Sequence, residues 1–409
     1  MPADPDDQAV ATLRARLGQE VAQLAAPNLE EATKDGIRHW AMAVGDRDPK
    51  WTDESYAASS RFRAITAPPS MLYGFDVRAI GDRSGLVGYH SQFGGAVHEW
   101  YRPIFRNTPV QLKVRSRDIV ELPADSRGRV FRQESECTFT DPDGLVLART
   151  WPWGRRTKRR AGALDTQYEG LELASYSPDD IEAIAARYAQ EQELIRGATV
   201  RFWEDVAVGD PLGPLTRGPW TRTTSLNFLQ GIGGLFMLSH SFWYEYLRRH
   251  PGAGIRNDLG IPEGPIRAHW EDDFARRTGV PAAYNWGPEI VGWLTTACTY
   301  WCGDDGWLQR LAVEIHRFNL VGDLMTVAGS VTAKALSGDC GVVDGGLWLR
   351  DQRGADTATG TFRIVLPRRD TGLSDHDATE HRQRSRPRPQ RHAQRGRRTP
   401  TARRTGNSL

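Results

Sequence analysis

The sequence predicts an α+β protein built from one unit used twice, and three correspondences along the chain carry that prediction. Glu99 to Asn107 (EWYRPIFRN) lies opposite Glu314 to Gly322 (EIHRFNLVG), at an offset of 215 residues. Tyr56-Ala57 lies opposite Phe274-Ala275 at 218, and the turn pairs Asp143-Gly144 and Arg353-Gly354 correspond at 210. Three features at similar offsets argue for a duplicated unit of about 150–170 residues, helical first and sheet-forming later. The length of 409 residues leaves room for two or three domains at roughly 150 residues each.

Each element follows from local pattern. Residues 6–25 place Val10, Leu13, Leu17, Val21 and Leu24 on one face, which predicts a short amphipathic helix. TKDGIRHWAMAVG (33–45) reads as a helix with Thr33 at its N-cap. Between 98 and 153 the runs EWYRPIF, VQLKVRSRDIVEL, RVFRQESECTFT and LVLARTWPW read as strands, the last two joined by the DPDG turn at 141–144. RRTKRR (155–160) reads as a solvated strand end. Ser177-Pro178-Asp179-Asp180 starts a helix running to about Leu194, with Ser at the N-cap and Pro at the first helical position. The second unit begins at Phe202, with a helical stretch near 223–231 and late strands LAVEIHRFNLVGD, LMTVAGSVTAKAL, VVDGGLWLRDQ and TATGTFRIVLP. Gly231 to Gly264 is inserted relative to the first unit; its LFMLSHSFWYEYL is apolar enough to cover a site mouth.

Composition excludes several classes. Hydrophobic residues make up 39%, enough for a large core and too many for global disorder. No apolar run reaches the roughly 18 residues of a membrane span. Four Cys cannot form a disulfide framework, and no Cys or His spacing matches a zinc site. No metal or other cofactor is expected. The opening MPADPDDQAV lacks an apolar stretch, so no secretory signal is expected and a cytoplasmic location is. The net charge of +2 divides unevenly: from Arg368 onward twelve Arg face four acids, a charge of +8, and the remaining 41 basic and 47 acidic residues give −6. Between Ser374 and Ser408 the tail has no Val, Ile, Leu, Met or aromatic residue and reads as a dispensable disordered terminus, with an electrostatic arm for RNA or an acidic ligand as the lesser alternative. The acidic body offers no broad basic face, so nucleic acid is not an expected partner.

Chemistry concentrates in residues 263–302. From Pro288 to Trp301 apolar residues surround the helix on every side, the pattern of a buried helix. Gly287-Pro288-Glu289 marks its start, where free backbone N–H groups suit a developing oxyanion. Pro288 has no N–H, which leaves that of Gly287. His269, six residues after Glu263, has the makings of general acid–base catalysis near that mouth. Alternatively His269 is a packed residue, and Asp272 and Asp273 cap a short helix over 274–278. Glu289 is either a helix-dipole residue or the water-activating carboxylate of a thioesterase. Cys298 and Cys302 read as packed thiols. The many Trp and Tyr of this region read as core, with a wide apolar cavity for a bulky acyl group as the lesser alternative.

This segment resembles the MaoC-like (R)-specific enoyl-CoA hydratases and dehydratases, whose motif runs Gly-Asp-x-Asn-Pro-(Ile/Leu)-His-x-Asp-x-x-x-Ala-x-x-x-Gly, with a further Gly 18 residues after the His. His269, Asp272, Ala275, Gly279 and Gly287 fit, except that Asp272 lies one residue late and Glu271 holds the matching position. The first unit carries a worn copy, Gly45-Asp46-Arg47-Asp48-Pro49-Lys50-Trp51 with Asp53 and Ala57, in which Trp51 stands at the His position and Pro69 at the Gly position. That half is similar to the N-terminal half of two-domain FAS1-like dehydratases. In the second unit the family Asp is replaced by Gly264, with Glu263 the nearest carboxylate and Asp258 in reserve.

The resemblance implies a double hotdog, each half a long helix wrapped by an antiparallel sheet. The limits are a helical extension (1–29), a first hotdog with a degenerate site (30–160), a linker with a helix (161–198), a second hotdog with the active site (199–367) and the basic tail (368–409). It implies reversible hydration of a trans-2-enoyl thioester of CoA or an acyl carrier protein. Glu263 and His269 act on water, the Gly287 N–H stabilises the enolate, and Thr295 bonds the His or the water. A non-catalytic thioester-binding subunit is the competing class. No membrane association is expected, and a homodimer of double hotdogs is compatible with the family.

Overall fold

The computed structural model describes residues 5–23, 26–125, 128–159, 165–234 and 237–371; the tail from 372 onward lies outside them. The first half opens with α1 (Pro5–Arg14). It ends well short of residue 25 because Gly18 adopts a left-handed φ of 78°. Gly18 and Val21 donate instead to the carbonyls of Ser116 and Val114, an edge pairing with the sheet. Helix α2 (Lys34–Val44) forms as its pattern predicts. The Thr33 hydroxyl accepts from Gly36 N–H, Gly45 closes the helix in the left-handed region, and Ile37, Trp40, Ala41 and Val44 face the core. After α3 (Glu54–Ser59), capped by Asp53, the expected long central helix is missing. Its place is taken by α4 (Leu72–Phe75) between single turns at Pro69–Met71 and Val77–Ile80. Asp76 interrupts it: the residue is extended and its carboxylate bonds Arg78 N–H, so the turn restarts after Phe75.

Four strands complete this half: β1 (Tyr89–Trp100), β2 (Gln111–Asp125), β3 (Gly128–Thr140) and β4 (Val146–Lys158). β1 begins about ten residues before the run that predicted it, because Gly94-Gly95 sits inside the strand, where a bulge follows Phe93. The arginine run at its end is not simply solvated. Arg156 is buried and bonds Gln133 and the Arg83 carbonyl, and Arg155 pairs with Asp125 and Asp165.

A linker carries α5 (Pro178–Ala189), started by a reciprocal Ser177–Asp180 capping box, and α6 (Glu191–Leu194). The second half follows with β5 (Pro211–Arg217), α7 (Arg222–Gly231), α8 (His240–Arg249), a small hairpin of β6 (Ile255–Arg256) and β7 (Pro262–Glu263), α9 (Asp272–Arg277) and α10 (Gly287–Cys302). Strands β8 (Trp307–Ile315), β9 (Met325–Ser337), β10 (Cys340–Asp351) and β11 (Asp356–Leu366) end it.

All the strands except the β6–β7 hairpin form one sheet, in the order β2-β3-β4-β1-β8-β11-β10-β9-β5. That order is a near mirror about the β1–β8 junction, where Gly95 to Glu99 pairs antiparallel with Glu314 to Arg310. The repeat found in the sequence is therefore the axis of the fold. The two hairpin turns match in chemistry as well: Asp141 accepts from the N–H groups of Asp143 and Leu145, and Asp351 from those of Arg353 and Ala355.

The centre belongs to α10, buried along its whole length. Fully burying an apolar side chain such as Ile290 or Leu294 contributes roughly 1.5–3 kcal/mol, so this helix anchors both halves. Val44 of α2 packs over Gly292 and Phe93 of β1 over Gly287. Among the described residues, no helix is long and apolar enough to cross a membrane.

Candidate active site

His269 ends a short 3-10 turn (Pro265–His269) that leads into α9. Its Nδ1 lies 2.7 Å from the Tyr284 carbonyl oxygen. A carbonyl only accepts, so Nδ1 carries the hydrogen and Nε2 keeps its lone pair. The ring stacks on Trp286 with centroids 3.6 Å apart and meets Tyr284 edge-on at 4.6 Å. Burial in this aromatic clamp pushes the imidazole down to about 3, and the positive charge of Arg83 from the first half adds to the shift. His269 is thus neutral at physiological pH.

The clamp residues lead straight into α10. Trp286 is its N-cap, and its indole donates to the Ser225 hydroxyl on α7. Gly287 follows as the first helical residue. A Cβ there would lie 2.4 Å from Phe93 Cδ1, so only glycine lets β1 approach the helix start so closely. Glu289 is fully buried, with its carboxylate accepting from the Trp220 indole at 3.1 and 3.2 Å and from Trp286 N–H at 3.3 Å. Burial raises its carboxyl to about 8. It therefore caps the start of α10 mainly in its protonated form at neutral pH.

The remaining candidates lie elsewhere. Glu263, half exposed, accepts from Asn257 Nδ2 at 2.8 Å and Arg267 Nη1 at 3.3 Å. Arg267 is buried between Glu263 and Glu271, with its guanidinium over the Phe274 ring. These groups line a cavity of about 480 Å³ together with Asp258, Asp272 and Arg222, and His269 is not part of that lining. Asp258 is exposed and 3.6 Å from Arg277. Asp272 pairs with Arg222 and accepts from Ala283 N–H rather than capping α9. The Thr295 hydroxyl lies 2.8 Å from the Gly292 carbonyl and 3.0 Å from that of Val291, inside its own helix. So the structure gathers His269, Tyr284, Trp286 and Gly287, and leaves Glu263, Asp258 and Thr295 in other contacts.

The worn motif of the first half meets the far end of the same helix. The Thr296 hydroxyl donates to Asp46 at 3.3 Å, Lys50 lies 3.0 Å from Asp48 and 3.8 Å from Asp304, and the Tyr56 hydroxyl donates to Asp304 at 2.7 Å. Thr296 is ten residues beyond Trp286, so the two motif copies are roughly 15 Å apart along the helix axis at about 1.5 Å per residue. Trp51, at the His position, is buried.

Sequence reasoning missed the first-half contributions, Phe93 and Arg83, which no local pattern signals. Arg267 did leave a signal: Glu263, Arg267 and Glu271 are spaced four apart, as ion-paired side chains on one face are.

Residues 19–113 match the family model described as "FAS1-like, dehydratase domain region". Among solved structures, a MaoC-like dehydratase superposes with a TM-score of 0.61 at 18% identity, covering 87% of this chain and 99% of its own. The chain has the double hotdog fold. A Mycobacterium tuberculosis protein described as having a double hotdog fold aligns at a TM-score of 0.54 and 10% identity, over 86% of this chain and 96% of that one. A Chloroflexus aurantiacus structure, titled as a MaoC domain protein dehydratase, gives 0.54 at 12% identity, over 87% and 96%. A comparison of the sequence with curated proteins found no match. The double hotdog has one departure from the expected plan, the broken helix of its first half.

Proposed function

We propose that this double hotdog reversibly hydrates a trans-2-enoyl thioester, equivalently dehydrating a 3-hydroxyacyl thioester, with His269 as the base. The observation that carries the proposal is the His269 Nδ1–Tyr284 carbonyl bond, which leaves a neutral, unprotonated Nε2 beside the start of α10. In hydration, Nε2 takes a proton from water as the water oxygen bonds C3. The electron pair of the C2=C3 bond moves toward the thioester carbonyl, and the Gly287 N–H stabilises the enolate oxygen. A proton then bonds C2, delivered by the imidazolium, which returns His269 to its neutral form, or by Glu263 in its protonated form, which then recovers a proton from the imidazolium. Glu263 serves only if its half-exposed side chain turns away from Arg267 toward a water shared with His269. A positioned base is typically worth about 10²–10⁴-fold and an oxyanion donor about 10²–10³-fold. Thr295 supports this site through the helix rather than through water.

The test is the product. Incubation with trans-2-enoyl-CoA esters of increasing length is expected to bleach the conjugated enoyl absorbance without releasing free thiol. Thiol release at the same rate would instead make the chain a thioesterase.

A further inference from the structure

Two asparagines next to the aromatic clamp are completely buried and poorly satisfied. Asn285 and Asn319 are each 0% exposed, and Asn285 Nδ2 and both amide atoms of Asn319 have no hydrogen-bond partner among the described residues. Burying polar atoms unpaired is destabilising, and an apolar pair of similar size would avoid it. Such a departure from good packing asks for a compensating role. The role follows from the backbone. Segment 283–285 runs antiparallel to 319–321: Asn285 N–H donates to the Asn319 carbonyl at 3.0 Å and Val321 N–H to the Ala283 carbonyl at 2.8 Å, with Tyr284 opposite Leu320. In an antiparallel ladder alternate residues turn their polar groups toward the partner strand, and those between turn away. Tyr284 is the one between, so its carbonyl leaves the ladder side and accepts from His269 Nδ1 at 2.7 Å.

At the Asn285–Asn319 pair the ladder is altered. A regular pair would return the Asn319 N–H to the Asn285 carbonyl, but that N–H donates to the Asn285 side-chain oxygen at 2.9 Å. The side chain thus stands in for its own carbonyl. The substitution falls where the chain must leave extended geometry, since Trp286 is the N-cap and Gly287 begins α10. The facing segment is itself fixed: Phe318 N–H donates to the Tyr168 hydroxyl at 3.1 Å and Leu320 N–H to the Asp323 carboxylate at 2.8 Å. Burial depresses the basicity of His269, and backbone hydrogen bonding to Tyr284 and Asn285 partly offsets it. We propose that Asn285 is a positioning residue for the base. By taking the Asn319 N–H on its side chain, it lets the 284–285 backbone hold His269 as the tautomer with Nδ1–H and a bare Nε2. The proposal rests on the hydration chemistry above and adds the residue that orients its base.

The test reads the imidazole directly, by NMR of the full chain carrying isotopically labelled histidine. The His269 signal, assigned by its loss in His269→Ala, is expected to show Nδ1 protonated and Nε2 bare; the opposite tautomer would overturn the proposal. Asn285→Leu removes the side-chain oxygen at similar size and is expected to mix the tautomers. Its kcat on enoyl-CoA should fall about 10-fold to 10²-fold, with KM within about twofold of wild type. If the leucine chain does not fold, Asn285→Ala removes the same oxygen from a smaller side chain and gives the same readouts. A purely structural pair would change the unfolding midpoint and leave the tautomer as in the wild type. An unchanged tautomer in the folded leucine or alanine chain would therefore overturn the proposal, whatever the midpoint does. If the wild type hydrates no enoyl thioester, the hydration reading fails on its own. The tautomer needs no turnover and still decides the role of Asn285.

Discussion

The two halves meet the same helix at opposite ends, each with a different remnant of one motif. At the start of α10 the second half keeps the His and has lost the Asp, with Gly264 in its place. At the end of α10 the first half keeps the Asp, as Asp46, and has lost the His to Trp51. Their surroundings diverge accordingly. His269 sits in an aromatic clamp with Nδ1 bonded to a backbone carbonyl, whereas Asp46, Asp48 and Asp304 are buried, and the partly buried Lys50 pairs with Asp48 and Asp304. The difference teaches that corresponding segments of two halves can take unlike surroundings: one sets a neutral imidazole against aromatic rings, the other ties its charged side chains to the opposite half.

That contrast can be broken by substitution. The largest expected effect on stability is at the far end. Lys50→Met leaves the buried Asp48 and Asp304 carboxylates without their cation, which typically costs about 3–5 kcal/mol. A urea unfolding curve should show it, and an unchanged midpoint would mean the cluster does not hold the halves.

At the start of α10, Gly287→Ala drives a methyl group into Phe93. Overpacking of this kind costs about 1–3 kcal/mol. The variant should lose activity and stability together, and Phe93→Ala in the same chain should restore stability first.

Asp46 offers a pH test of comparable or smaller size. Burial, with Asp48 beside it, raises its carboxyl from the ordinary 3.8 to about 6. The folded state therefore keeps a proton that the unfolded chain releases. The stability this provides is full below about pH 4 and is lost as pH rises through about 6, by roughly 1–3 kcal/mol. Asp46→Asn should flatten that decline in unfolding midpoints taken from pH 4 to 8; an identical slope would place the titration elsewhere.

The smallest effect is expected from the tail. Truncation after Pro367 should leave enoyl-thioester turnover unchanged, and a large loss would give the basic segment a part in binding the anionic carrier.

Where the signal was local, the sequence was legible. The all-round apolar pattern of 288–301, the Gly-Pro-Glu start and the two DxxG turns each correspond to an observed element, and the repeat offsets anticipated the β1–β8 axis. What was hidden depends on contacts distant in sequence or on single interruptions. Gly18 ends α1 early, Asp76 splits the first half's helix, and Gly94-Gly95 conceals the start of β1. At the site, the start of α10 at Gly287-Pro288-Glu289 could be read, because helix starts have signatures; Glu289 was expected to act through its charge on the helix dipole, and is instead a buried cap raised to about 8. The acceptor for His269 is a backbone carbonyl 15 residues away, and Phe93 comes from the other half; neither leaves a pattern. Proximity in sequence points to Glu263 but does not reveal that Arg267 competes for it.

The central claim is that His269 is the base of a hydration site. The most direct measurement is the rate of enoyl-CoA hydration by His269→Ala, alongside a circular dichroism spectrum to establish folding. A fall of about 10²–10⁴-fold in kcat with the fold intact is the predicted result; turnover equal to wild type across the acyl-length series would contradict it.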